Sequence, residues 1–215
     1  SASTFSFQKK IVYSLLFCLE NICLRWYPKH ICYNKDILAS LKKLGKDTLV
    51  LPNFVFENVY IDRVRNEVNT TFVSAGFWVK RKRIDRYSTF FNRGGDFKAS
   101  WHIYGPIHPD YRKEFLDTLD EIKQSANYLQ VKYFGEVEHK DLHSAMATSS
   151  YLLHLADAEG FPKVVQEAQV NGCLIIGDGN VLNEIFLDRG FIDYESFDLM
   201  QSENFEFESD KHTAY

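Results

Sequence analysis

The chain has 215 residues, 45% of them hydrophobic and 25% charged, and carries a formal net charge of −4. That is the profile of a globular protein with room for one sizeable core, and its acidic balance argues against a general nucleic-acid binder. Four cysteines (Cys18, Cys23, Cys32 and Cys173) show no C-x-x-C pairing and no metal-ligand spacing. They fit a reduced, cytoplasmic setting.

Taken in chain order, the first feature is the apolar run Ile11–Trp26, interrupted by Glu20, Asn21 and Arg25. A spanning helix needs about 20 mostly apolar residues, so this run predicts a packed or interfacial helix over 8–27 instead. No strand precedes it, and it reads as the tail of another domain. No signal peptide is recognised and no Met opens the chain, so a fragment or processed product is expected. Short apolar strands follow at 30–33, 48–52, 71–77, 101–105, 129–135, 151–156 and 173–177. Several are apolar on both faces, as strands covered by helices on both sides must be. Between them lie helical patterns at 35–44, 83–92, 110–125, 139–148, 162–171 and 181–189, with Asp110 placed to cap the third. This alternation predicts an α/β fold, a Rossmann-like doubly wound parallel sheet with an N-terminal linker helix. The expected divisions are 1–50 (the end of a preceding domain and its linker), 51–195 (the main domain) and 196–215 (a polar tail).

The stretch AEGFPKVVQEAQVNGCLII (158–176) places Glu159 and Glu167 around a tight entry into a helix, at the end of an apolar strand. Pro162 suits the first helical turn and Gly172 its close. The backbone N–H groups of Gly160, Phe161, Lys163 and Val164 would then face the ligand edge of the sheet, where the helix dipole favours an anion. Glu167, farther along the helix, would suit paired hydroxyls. The plainer reading makes Glu159 a helix cap and leaves Glu167 in solvent. Spacing alone weighs the two about equally.

EGFPKVVQEAQVNG resembles the E-x7-E signature of family-four (group 1) retaining GT-B glycosyltransferases, with Glu159, Gly160, Phe161, Pro162, Glu167, Ala168 and Gly172 matching. FVSAGFWVKRKRID is similar to the family's F-V-G-R-x-x-x-x-K-G-x-D block through Gly76, Lys82, Ile84 and Asp85. LVLPNFV, WHIYGP and VKYFGEVEHKDL stand in the places of three further family stretches, so the resemblance runs in order from about residue 30 to 190. It implies the donor-binding half of a GT-B fold, with a nucleotide sugar as substrate. Glu167 would bind the ribose and Glu159 the transferring sugar. The backbone of Gly160–Val164 would hold the distal phosphate or sugar, and Lys82 would neutralise the diphosphate leaving group. The resemblance further implies an acceptor that is a glycan or lipid-linked saccharide, a missing N-terminal domain that carries most acceptor contacts, and peripheral association with the cytoplasmic membrane face. The chain alone is expected to transfer nothing.

There are departures from that pattern. Phe77 stands where the family has arginine beside the diphosphate, and Lys80, Arg81 or Arg83 are candidates to compensate. The KRKR run (80–83) lacks the interleaved aromatics of a single-strand binder, so nucleic acid is not expected. The seven histidines are read as scattered, with no pair at H-x-x-x-H or H-E-x-x-H spacing, His102 and His154 as satisfied core or edge residues, and neither a metal nor a cofactor is expected. The serines lack a nucleophile elbow, which sets aside a hydrolase triad. The competing readings are a GT-B-like interaction module that has lost its chemistry and a sugar-nucleotide epimerase, for which no catalytic acids can be named.

Overall fold

The computed structural model describes residues 22, 26–27, 29–32, 35–50, 70–94, 98–160, 162–185 and 191–197. Nearly all of the helix expected over 8–27 and of the tail 196–215 lies outside them. The chain divides into two compact units, Ser1–Asn53 and Phe54–Tyr215.

In the first unit, strands β1 (Lys29–Cys32) and β2 (Asp47–Val50) pair in parallel, with Lys29 opposite Asp47 and Cys32 opposite Val50. Helix α1 (Lys35–Lys43) connects them, as a parallel crossover requires.

The second unit carries a six-stranded parallel sheet. Its strands are β3 (Thr70–Ala75), β4 (Ala99–Tyr104), β5 (Leu129–Gly135), β6 (Tyr151–His154), β7 (Leu174–Gly177) and β8 (Ile192–Asp193). In space they run β5-β4-β3-β6-β7-β8. The sheet therefore starts at β3, grows outward through β4 and β5, and then reverses to grow through β6, β7 and β8. This is the doubly wound order, and its reversal falls between β3 and β6, the place in such sheets beyond whose strand ends ligands bind.

Five helices cover the two faces: α2 (Ile84–Phe91), α3 (Arg112–Ser125), α4 (His139–Ala147), α5 (Lys163–Val170) and α6 (Gly179–Ile185). Strand alternation sorts the core. Phe72, Trp101, Ile103, Tyr151, Leu153 and Ile176 point to one face, where they meet Tyr87, Phe90 and Phe91 of α2 and Phe115, Leu119 and Ile122 of α3. Val73, Ala75, Tyr104, Leu152 and Ile175 point to the other, against Met146 of α4, Val165 and Ala168 of α5 and Leu182 of α6. The aromatic stretch of α2 is thus core, as its spacing suggests.

Three details differ from expectation. Strand β8 has only two residues, too few to leave a periodic signal. Asp110 does not cap α3. Pro109 starts a 3-10 turn (Pro109–Tyr111) ahead of the helix, and Asp110 donates its backbone N–H to His108 Nδ1 at 3.2 Å. The sixth helix starts two residues early, because the Asp178 carboxylate accepts from Asn180 N at 2.9 Å and so caps α6.

Candidate functional site

Strand β3 ends at Ala75, and Gly76 follows with φ +144°, a backbone state that glycine adopts without strain. Beside it, Gly105 follows the β4 strand, and a Cβ there would fall 2.0 Å from Gly76 O. Two glycines thus let the neighbouring strand ends close up. A 3-10 turn (Lys80–Lys82) then leads into α2, and Lys82 is one of the few buried charges of the fold. Its ammonium lies against Gly76, where an added Cβ would stand 3.6 Å from Nζ.

Lys82 donates to the Glu159 carboxylate, which comes from the loop after β6. Both side chains are about nine-tenths buried. Two residues 77 apart in sequence therefore meet at the strand reversal, because β3 and β6 are adjacent there. The plain expectation that Glu159 caps a helix does not hold. The N-cap of α5 is Pro162, and no side chain caps that end. The first N–H groups of the helix, those of Lys163 and Val164, thus face the same edge without a side-chain acceptor, while Gly160 is exposed in the loop before them. Phe161 lies outside the described residues.

A second layer fixes these loops. Arg83 adopts a left-handed conformation (φ 51°, ψ 61°) and binds Asp85 through Nε and Nη2 at 2.9 and 2.7 Å. Its Nη1 reaches Asp157 at 2.8 Å. Arg86 bridges the same Asp157 at 2.8 Å and Asp178 at 2.7 Å. The loops after β3, β6 and β7 are thereby tied together. Hydrogen bonding to Arg83 holds the Asp85 carboxyl below its ordinary range, and the Asp85 and Asp157 contacts raise the Arg83 guanidinium above its own. Of the cations considered as substitutes at Phe77, Arg83 is therefore committed. Lys80 and Arg81 are exposed. Phe77 itself is half exposed, its ring edge-on to His108 at 5.9 Å.

Beneath the Lys82–Glu159 pair lies His154, the last residue of β6. It is fully buried, and its Nε2 is 3.7 Å from Glu159 Oε1, with no hydrogen-bond partner among the described residues. Burial, assisted by the charge of Lys82, pushes its pKa well below the ordinary value, so the imidazole is neutral. It is a core histidine, as expected, but not a satisfied one. His102, half buried on β4, packs against Phe134 at 5.3 Å.

Glu167 is also buried, but with different company. Its Oε1 is 3.1 Å from His139 Nε2 on α4. His143, one turn further along α4, stacks edge-on to His139 at 4.5 Å and is 2% exposed. The reading of the histidines as scattered needs correction here: HKDLH places His139 and His143 four apart, on one helix face. That spacing was the available signal. Asn171, which closes α5, donates through Nδ2 to Glu167 O at 2.8 Å and lies 2.7 Å from His143 Nδ1.

Comparisons with known proteins bear on this geometry. No protein-family profile matches the sequence, and no curated protein matches it. Solved structures do match. The apo form of the lipopolysaccharide outer core galactosyltransferase WaaB superposes with a TM-score of 0.59 at 19% identity, over 72% of this chain and 44% of that one. HepE from Anabaena, in complex with UDP and glucose, gives 0.60 at 16% identity, over 73% and 46%. WaaG, a glycosyltransferase involved in lipopolysaccharide biosynthesis, gives 0.54 at 16%, over 68% and 43%. The chain spans less than half the length of these structures. The fold it shares with them is the Rossmann-like half of GT-B glycosyltransferases.

Proposed function

We propose that this chain is the donor-binding half of a retaining glycosyltransferase, which holds a nucleotide diphosphate sugar at the strand reversal. The observation that carries the reading is the meeting of Lys82 and Glu159 at the carboxyl ends of β3 and β6, beside the uncapped N-terminus of α5. An anion fits a helix N-terminus beside a buried ammonium. The relatedness of the fold to WaaB, WaaG and HepE, the last solved with UDP and glucose, supports the same reading.

In the reaction the bond between the sugar's anomeric carbon and the diphosphate oxygen breaks, and a bond from an acceptor hydroxyl oxygen to that carbon forms on the same face. The hydroxyl proton leaves with the diphosphate or to solvent. Negative charge grows on the departing diphosphate, so a preplaced cation stabilises the transition state more than the ground state. Lys82 is that cation. The donor diphosphate takes over the hydrogen bonds that Glu159 now accepts from it, which frees the Glu159 carboxylate for sugar hydroxyls. Glu167 accepts from the ribose hydroxyls. The N–H groups of Gly160, Phe161, Lys163 and Val164 receive the distal phosphate or sugar. None of these roles needs a metal ion. A glycan or lipid-linked acceptor would be held by a second domain across the crevice. No helix among the described residues is long and apolar enough to cross a membrane.

Calorimetric titration with UDP, GDP, CDP and ADP tests the reading. One nucleotide should bind selectively, and Glu167→Ala and Lys82→Ala should each weaken it at least tenfold, the size of one charge-assisted hydrogen bond. Equal, variant-independent binding of all four nucleotides, or none at millimolar concentration, would overturn it.

A further inference from the structure

We infer that His139, His143 and Glu167 form a binding site for a first-row transition metal ion of the zinc class. One ligand atom from each of the three lies within 4.8 Å of the others. Two imidazoles and a carboxylate are the donor set that zinc and its neighbours favour over magnesium or calcium. Two ligands come from one helix face, the third from the facing helix α5. His139 is exposed enough to swing in, and metal–nitrogen bonds of about 2.0–2.1 Å set tetrahedral ligand atoms about 3.4 Å apart, so the three side chains must draw together by up to about 1.4 Å.

The buried groups around the site carry the argument further. His143 Nε2 and Asn171 Oδ1 are both buried and both lack a hydrogen-bond partner among the described residues. Such orphans are uncommon, and each calls for an explanation. A cation bound at His143 Nε2 would give that orphan its partner. It requires the proton to sit on His143 Nδ1, and therefore the Asn171 side chain to leave its present place, where Nδ2 donates to Glu167 O at 2.8 Å and lies 2.7 Å from Nδ1. The Glu167 carbonyl keeps the Asn171 backbone N–H at 3.1 Å when it does so. A histidine whose far nitrogen donates to an oxygen is the arrangement that metal-binding histidines adopt. The cation then lies between His139 Nε2 and Glu167 Oε1, now 3.1 Å apart.

The site itself does not depend on the donor reading. One consequence rests on that reading: a bound cation occupies the carboxylate assigned to the ribose, so metal and nucleotide exclude each other.

The test is a titration of the chelator-stripped full chain with zinc chloride, and with cobalt chloride followed by visible absorption. A one-to-one isotherm and a cobalt spectrum of low coordination number are expected. His139→Ala, a change at an exposed side chain, and Glu167→Gln should each weaken binding about 10–100-fold. Asn171→Asp, which supplies a permanent acceptor to Nδ1–H, should tighten it by a similar factor. No binding, or binding that His139→Ala and Glu167→Gln leave unchanged, would overturn the inference, the latter assigning the metal to cysteines or surface groups. A nucleotide titration with and without zinc separates the two claims. Zinc binding without nucleotide binding leaves the metal site standing and removes the donor reading, and the reverse outcome does the opposite.

Discussion

The two faces of the second unit's sheet divide the work of the molecule. One is aromatic: Phe72 packs against Phe90, Phe91 and Tyr151, and Trp101 stacks on Tyr87 at 5.1 Å. Its polar atoms are paired, for Trp101 Nε1 donates to Ser74 Oγ at 3.0 Å and Ser74 Oγ donates to Leu153 O at 2.8 Å. The other face is aliphatic and small, and it holds His143, His154, Asn171 and Glu167. Three of those residues have a buried atom with no hydrogen-bond partner among the described residues. A sheet can carry so many costly groups on one side only if the other side supplies a surplus of apolar burial. The contrast teaches that in this fold aromatic packing and unpartnered buried polar groups are allotted to opposite faces.

The first way to break that division is on the aromatic side. Trp101→Ala removes a fully buried indole and should cost about 3–5 kcal/mol, read as a shift in urea midpoint. Zinc and nucleotide binding, measured where the variant is still folded, should be unchanged. A loss of binding with stability intact would mean that the faces are not separate.

At the strand ends the pair Lys82–Glu159 should behave differently. Lys82→Ala leaves a mostly buried carboxylate whose nearest basic neighbour is His154 at 3.7 Å. It should cost about 3 kcal/mol, the low end for breaking a buried pair. The double variant Lys82→Ala/Glu159→Gln should recover most of that in denaturant titrations. If the single variant costs nothing, the pair serves the ligand alone.

His154 sharpens the comparison from the aliphatic side. Its folded pKa is depressed, so below about 6.5 the unfolded chain takes up a proton that the native state refuses. Stability from this group is therefore complete above that pH and falls as pH drops below it. His154→Leu should flatten the pH dependence, read as the difference between parent and variant in urea midpoints at pH 7 and pH 5. An unchanged slope would place the proton elsewhere.

How much of this was legible in the sequence follows from distance along the chain. The strands β6 and β7 were readable because a strand buried on both faces is a continuous apolar run, and β4 and β5 because buried Trp101 and Ile103, and partly buried Val131 and Tyr133, alternate with more exposed neighbours. The Glu159 and Glu167 positions were readable because Gly-Phe-Pro between them announces a helix entry. What joins Lys82 to Glu159 is the adjacency of β3 and β6, and no local pattern records a pairing across 77 residues. The same holds for Glu167 with His139, and for Asn171 with His143, each pair 28 residues apart. Of that cluster, only the HKDLH spacing was open to inspection. The expected cap at Asp110 failed because Pro109, three residues before the helix, favours a tighter turn, a choice that composition alone does not decide.

The smallest effect concerns the residue that holds the site's two loops together. Arg83 is the one described non-glycine residue with positive φ. The glycosyltransferase block that this segment resembles, F-V-G-R-x-x-x-x-K-G-x-D, has glycine at that place. A left-handed conformation costs a residue with a Cβ about 1 kcal/mol relative to glycine. The ion pairs of Arg83 with Asp85 and Asp157 are about one-third or more exposed, so each returns only about 0–1 kcal/mol. Arg83→Gly should therefore lie within about 1 kcal/mol of the parent, since relief of strain offsets the lost pairs. Arg83→Ala keeps the strain and loses the pairs, and should be about 1 kcal/mol less stable than Arg83→Gly. If Ala and Gly prove equal, the backbone relaxes once the guanidinium is gone. The strain would then be imposed by the pairs with Asp85 and Asp157, and Arg83 would act as a tensioned strut between the loop that carries Lys82 and the loop that carries Glu159.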